Sequence, residues 1–362
     1  MRKSSLSFIL ALSLCSAATE AQEKNLFNHM DFGVTLGTTG IGFDVATPVT
    51  DYVRLRTGMS YVPKIEVPMT FGIQVGDDPA TSKSKFDRLS GLLSNFTGKP
   101  VSQEVAVTGR PTFWNWNVMV DVFPLKNNRH WHVTAGFYLG PEKVAESFNK
   151  TESMSSLVAL DIYNNLYERV KTSPVLNDEW YFYEHNALEV MEDIQLLKDL
   201  GMINSKDMPA ELASIYLDPN NNVVKNAYQT IADYGRMGMR MGTYKRDIVD
   251  KDGNVIHKKG DAYIMETNGE SMVKADMKVN AFKPYIGVGY DGRMLKNDKR
   301  LYIGFDAGIM MWGGTPSLTT HDGTDLINDV ENIPGKVGDY VSTIEKFKVF
   351  PMVNVRLSYK LF

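Results

Sequence analysis

Phe32, Val34 and Leu36 alternate with Asp31, Gly33 and Thr35. After the turn Gly37-Thr-Thr-Gly40 the alternation resumes, with Ile41, Phe43 and Val45 against Gly42, Asp44 and Ala46. A period of two puts one kind of residue on each face of an extended strand. A third such run sets Val53, Leu55, Met59 and Tyr61 against Arg54, Arg56, Gly58 and Ser60. The rhythm returns at 114–122 and, after the polar turn Leu125-Lys-Asn-Asn-Arg129, at 130–139. It recurs at 282–291, at 301–311 and in the last fourteen residues, 349–362. Eight amphipathic strands joined in sequence predict an antiparallel sheet.

The connections sort by parity. Those after strands two, four and six are short, whereas those after three, five and seven are the long insertions 62–110, 141–278 and 313–346. Such sorting suits a closed barrel with every short turn at one rim, the periplasmic one if the chain starts there, and every long loop outside the cell. Segment 62–110 predicts one helix, with Phe86, Leu89, Leu92, Leu93 and Phe96 at helical spacing. Segment 141–278 predicts helices near 154–170, 186–200, 209–217 and 223–233 and a hairpin at 244–265, and 313–346 reads as a polar loop.

Alternation does not say which face is inside. A soluble carrier barrel would turn the apolar face inward. Here the polar face carries Gly58, Gly136, Gly287, Gly289, Gly304 and Gly308, small enough for a narrow eight-stranded lumen. The apolar face places Tyr61, Trp114, Trp116, Phe137 and Phe282 toward the outer rim and Phe32, Trp131, Tyr290 and Tyr359 toward the inner one, as membrane-interface girdles require. The expectation is an all-β fold: an eight-stranded antiparallel transmembrane β-barrel with a large, partly helical extracellular insertion.

The amino-terminal residues support a secreted destination. Arg2 and Lys3 precede an apolar run from Phe8 to Ala18 and small residues before Gln22, so 1–21 read as a signal peptide and 22–362 as the mature chain. The single cysteine, Cys15, lies in that leader, so no disulfide is expected. With a formal charge of −4 and no basic stripe, nucleic acid is not an expected partner.

With its signal peptide, Phe282-Lys-Pro-Tyr-Ile-Gly-Val-Gly-Tyr290 and Ser358-Tyr-Lys-Leu-Phe362, the chain resembles the small outer-membrane β-barrel proteins of Gram-negative bacteria, the OmpA-like and OmpW-like group. The resemblance implies contact with outer-membrane lipid and insertion by the outer-membrane assembly machinery. That machinery would read Tyr359 and Phe362 in the last strand, although Tyr359 stands one place farther from the end than the usual aromatic.

Candidate chemistry is sparse. Asp31, Asp44, Asp121 and Asp306 share the polar face with Arg54, Arg56 and Arg356. Opposite charges in a narrow lumen should pair, forming a plug rather than a selectivity lining. His130 and His132 share a strand face but no third ligand is visible, so no metal and no cofactor is expected. Met237, Met239 and Met241 read as adaptable contact surface rather than a soft-metal site, and Asp250-Lys-Asp-Gly-Asn254 reads as a hairpin turn. No Ser/His/Asp spacing marks a catalytic site. The expected role is a non-enzymatic barrel whose 141–278 cap meets an extracellular ligand or protein; the alternatives are a small channel and a surface enzyme.

Overall fold

A computed structural model of the protein describes residues 29–173, 222–295 and 298–361, together with Leu176, Glu192, 195–199 and 201–203. The expected signal peptide, Phe362, the predicted helix at 209–217 and most of the one at 186–200 fall outside the described residues. No described helix is long and apolar enough to cross a membrane.

Eight antiparallel strands close into a barrel: β1 (Asp31–Gly37), β2 (Gly40–Thr50), β3 (Val53–Tyr61), β6 (Trp114–Val122), β7 (Trp131–Leu139), β14 (Phe282–Arg293), β15 (Leu301–Met310) and β18 (Phe350–Lys360). β18 shuts the ring against β1, pairing Phe32 with Tyr359 and Thr35 with Arg356. Val34, Phe43, Val133, Val288, Phe305 and Val355 lie exposed on the outside, while Asp44, Arg56, Asp121, Asp306 and Arg356 are buried within. The apolar face points outward, the inverse of a soluble carrier. Phe32, Tyr61, Trp114, Trp116, Trp131, Phe282, Tyr290 and Tyr359 are all exposed on that outer surface. Phe137 is half-buried between Trp116 and Phe282, at ring-centre distances of 6.2 and 5.3 Å. At the short-turn rim Trp131 and Tyr290 meet edge to face at 5.2 Å.

Above the opposite rim the wall does not end. The cap holds β4 (Val67–Val75), β5 (Glu104–Pro111), β8 (Lys143–Asn149), β9 (Met237–Tyr244), β12 (Ala262–Met265), β13 (Lys274–Lys278), β16 (Ser317–Thr320) and β17 (Val330–Glu331). They form one sheet ordered β12-β9-β4-β5-β8-β13-β16, with β17 on β9. Each of β4, β5, β8, β13 and β16 continues a barrel strand, and the sequence β3-β6-β7-β14-β15 below is repeated above as β4-β5-β8-β13-β16. Backbone bonds carry the pairing across the rim: Val62 to Phe113, Thr112 to Val144, Val279 to Glu142 and Asn280 to Trp312, at 2.9–3.2 Å. At the sheet's far edges, the Tyr263 hydroxyl on β12 lies 3.0 Å from Thr320 Oγ1 on β16 and donates to Asp322 at 2.7 Å.

The insertions therefore differ from the sequence expectation. Segments 62–110 and 141–278 each contain, besides helix, strands that prolong the barrel. Segment 313–346 is not a plain polar loop: it holds β16, β17 and a helix at Gly335–Lys346. Helices α1 (Pro79–Thr97), α2 (Met154–Thr172), α3 (Asn222–Tyr234) and α4 (Gly335–Lys346) pack in the cap. In α1 the Asp78 side chain accepts from Ala80 N at 2.9 Å, Pro79 opens the first turn and Gly98 closes it at φ 65°, a value glycine adopts at little cost. Phe86, Leu89 and Leu93 are buried by α1 as their spacing predicts, whereas Phe96 is exposed.

The cap core joins Ile73 and Val75 of β4 to Leu157, Leu160 and Tyr163 of α2 and to Tyr228 and Ile231 of α3. Met237, Met239 and Met241 belong to it, almost fully buried. They are core packing and not contact surface, because both faces of β9 are covered. Asn164 of α2 clamps β9, accepting from Met237 N and donating to Met237 O, both at 2.8 Å. Asn164→Ala strands two buried backbone groups and is expected to cost the cap about 1–3 kcal/mol. Protease resistance of the cap measured against temperature reads that loss. The short hairpin β10 (Ile248–Val249) and β11 (Val255–His257) matches its expected place, and the Asp250 carboxylate caps its turn through Asp252 N and Asn254 N at 2.9 and 2.8 Å.

Candidate functional site in the barrel lumen

Alternation on eight strands delivers the polar residues to one axis in layers. Nearest the short-turn rim, Asp31, His130, Arg293 and Lys360 line an open mouth of about 300 Å³. Asp31 makes no ion pair among the described residues, so it belongs to this mouth and not to the paired network.

One layer in, Arg54 reaches Asp121 at 2.8 Å and Asp291 at 2.7 Å. Next, Arg56 bridges Asp121 at 3.2 Å and Asp306 at 2.9 Å, while His132 Nε2 lies 3.0 Å from Asp306 Oδ1. Thr134 donates to Asp121 at 2.7 Å. On the other wall Arg356 grips Asp44 through Nε at 2.9 Å and Nη2 at 2.5 Å. Buried ions persist only where partners and hydrogen bonds replace water, and here each of these arginines meets a carboxylate from a different strand. Asp291 and His132 are members that the charge pattern alone did not single out. Asp291 sits near the end of β14, and His132 shares its strand face with His130. His130 turns elsewhere, its Nδ1 2.5 Å from the Asp291 carbonyl oxygen. No group of three metal-ligating side chains occurs among the described residues.

Glycine makes this crowding geometrically possible. A Cβ built at Gly289 would stand 2.3 Å from His132 Nε2 and 2.6 Å from Asp306 Oδ1, and one at Gly33 would stand 2.6 Å from Arg356 Nε. Gly289→Ala is thus expected to push His132 off Asp306 and to cost about 1–3 kcal/mol through overpacking, read by urea titration in lipid bilayers.

Toward the cap the lumen turns apolar. Met119, Tyr138, Tyr285, Met310 and Met352 pack together, with the two tyrosine rings edge to face at 5.8 Å. Gly287 and Gly308 leave room for the Tyr285 hydroxyl. Between this layer and the ion pairs is a polar cavity of only about 30 Å³, room for about two waters. Beyond the tyrosines lies Lys283, and above it two apolar chambers of about 300 and 260 Å³, the upper one walled by α4 through Val337, Val341 and Ile344.

Outside the lumen, burial opposes ionisation of Asp322 at the cap seam. Hydrogen bonds from Thr320, Thr324 and Tyr263 outweigh it and hold that carboxyl below its ordinary range. Glu146 is likewise held low, first by its hydrogen bond from Lys143 and then by Arg110, against the opposing effect of burial.

No protein-family model and no curated protein matches the chain. Among solved structures it is similar to CarO2 of Acinetobacter baumannii (12% identity, 92% of this chain and 98% of that one, TM-score 0.33) and to CarO of the same organism (12%, 93% and 99%, 0.34). It is also similar to a major outer membrane protein from Thermus thermophilus (9%, 92% and 98%, 0.24). At such scores the assignment stands on the geometry: a closed antiparallel ring that wears its apolar residues and aromatic girdles outside and its charges inside is solvated by lipid, not water. The chain is an eight-stranded transmembrane β-barrel of the outer membrane, its wall carried on into a second sheet.

Proposed function

We propose that the protein is a non-enzymatic barrel of the OmpA-like and OmpW-like kind, with a lumen plugged to hold its shape and a raised cap, facing outside the cell, that takes up a ligand. The observation that carries this reading is the filled lumen: a network of paired arginines and aspartates with His132 on one side of a five-residue tyrosine and methionine layer. The arginines and aspartates of this network are engaged with one another, and a cavity of about 30 Å³ beside them offers no path for hydrated ions. The cap chambers, in contrast, are roomy and apolar. Orientation follows the parity of the connections, and the exposed ring of Tyr359 on the closing strand suits recognition by the outer-membrane assembly machinery.

Planar bilayers holding the purified full chain should be electrically silent, and Met119→Gly with Tyr285→Ala should open measurable conductance. Steady conductance from the unaltered protein, changed by Arg56→Ala, would make it a channel instead.

A further inference from the structure

Lys283 is a buried lumen cation with no carboxylate within 4 Å among the described residues. It is 1% exposed, and its Nζ has only Asn115 Oδ1 and the Ala281 carbonyl, each at a long 3.4 Å. Asn115 beside it is fully buried, and its Nδ2 has no hydrogen-bond partner. The ammonium is thus left with two long, uncharged acceptors, which is costly for a buried charge unless an anion joins it. The carboxylates of the lumen cannot supply it, because the tyrosine and methionine layer stands between. An anion must arrive from the cap side.

That side is apolar. Lys283 forms part of the wall of the 300 Å³ chamber, with Phe113, Val144, Trp312 and Phe350 among the others. Trp312 is fixed by donating its Nε1 hydrogen to the Phe347 carbonyl at 2.9 Å and packs on Phe350 at 5.2 Å. Pro111, Ala145, Met277 and Ile344 line both this chamber and the 260 Å³ one under α4, so the two adjoin. Together they reach the size of small-molecule pockets, roughly 300–1,000 Å³. A cationic foot below a long apolar shaft is complementary to one class of molecule.

We propose that the junction of barrel and cap binds a single-chain amphiphile with a carboxylate head, a fatty acid in its simplest form, with its head at Lys283 and its tail rising past Trp312 toward α4. This deepens the ligand-binding reading above. The two fail separately: open conductance sinks the plug without touching the amphiphile site, and failed amphiphile binding leaves the plug intact.

The test uses the full-length protein in phosphatidylcholine nanodiscs, titrated with dansylaminoundecanoic acid and, in parallel, with the corresponding dansyl alcohol; empty nanodiscs give the partitioning background. The acid should show saturable, tryptophan-sensitised emission. Lys283→Met should weaken the acid about tenfold or more while moving the alcohol little, as loss of a charge-assisted contact requires, and Lys283→Arg should restore much of the acid's affinity. Ala145→Phe, in the wall shared by the two chambers and carrying no charge, should fill that wall and remove binding of both probes. Acid and alcohol binding the unaltered protein equally well, an acid affinity indifferent to Lys283→Met, or emission no greater than in empty nanodiscs would each overturn the proposal.

Discussion

Asp306→Ala should destabilise the folded barrel by about 3–5 kcal/mol, the range for leaving one side of a buried ion pair uncompensated. Asp306 accepts from Arg56 at 2.9 Å and sits 3.0 Å from His132, so its loss strips both at once. Arg56 would retain only Asp121, at 3.2 Å and already shared with Arg54. The measurement is urea unfolding in lipid bilayers followed by tryptophan emission. The paired change Arg56→Leu with Asp306→Leu should recover much of the loss, because Asp121 keeps Arg54 and two apolar side chains of similar bulk carry no desolvation penalty. Equal loss from the single and the double variant would mean that shape, not charge, holds this layer.

Val288→Arg should cost about 2–4 kcal/mol in the same assay, the penalty of a cation at the middle of a lipid-facing strand. Val288 lies near the centre of β14, pairs with Val133 and Ala307 on its flanks, and is 52% exposed although apolar. In water that exposure would make arginine harmless or favourable. The same substitution at Val255, exposed in the short β10–β11 hairpin of the cap, should change stability by only a few tenths of a kcal/mol. The contrast between the two sites measures where the lipid is. A barrel indifferent to Val288→Arg could not be sitting in a bilayer as its belt implies.

Both expectations rest on features that periodicity revealed. Strands such as β3 and β18 face lipid on one side and a polar axis on the other, so their alternation is clean and each side chain's surroundings can be read from its parity. The cap hid its strands because that contrast vanishes there. β9, running Met237-Gly-Met-Arg-Met-Gly-Thr-Tyr244, is buried on both faces, so its alternation of methionine with glycine and arginine marks no solvent side, and β4 is interrupted by Pro68 and Gly72. The helix α4 did carry a signal, since Val337, Tyr340, Val341 and Ile344 are spaced as one helical face, but the surrounding glycines and polar residues read as loop. At the site, Arg54, Arg56, Asp121, Asp306, Arg356 and Asp44 were legible as one polar face. Who pairs with whom was not, because the partners are set by ring closure and lie as far apart in sequence as Asp44 and Arg356. Lys283 was visible only as one more polar position; the missing counter-charge is a property of layers, not of sequence.

The repeated strand order across the rim bears on how the chain reaches this state. Once β3-β6-β7-β14-β15 have paired in the bilayer, the ends of β4, β5, β8, β13 and β16 are already held neighbour to neighbour, and most of the loop-closure entropy of the upper sheet has been met. The cap can then assemble by zippering upward from a finished ring. Inserted barrels with unformed caps should accumulate as folding intermediates, whereas caps formed ahead of their barrels should not.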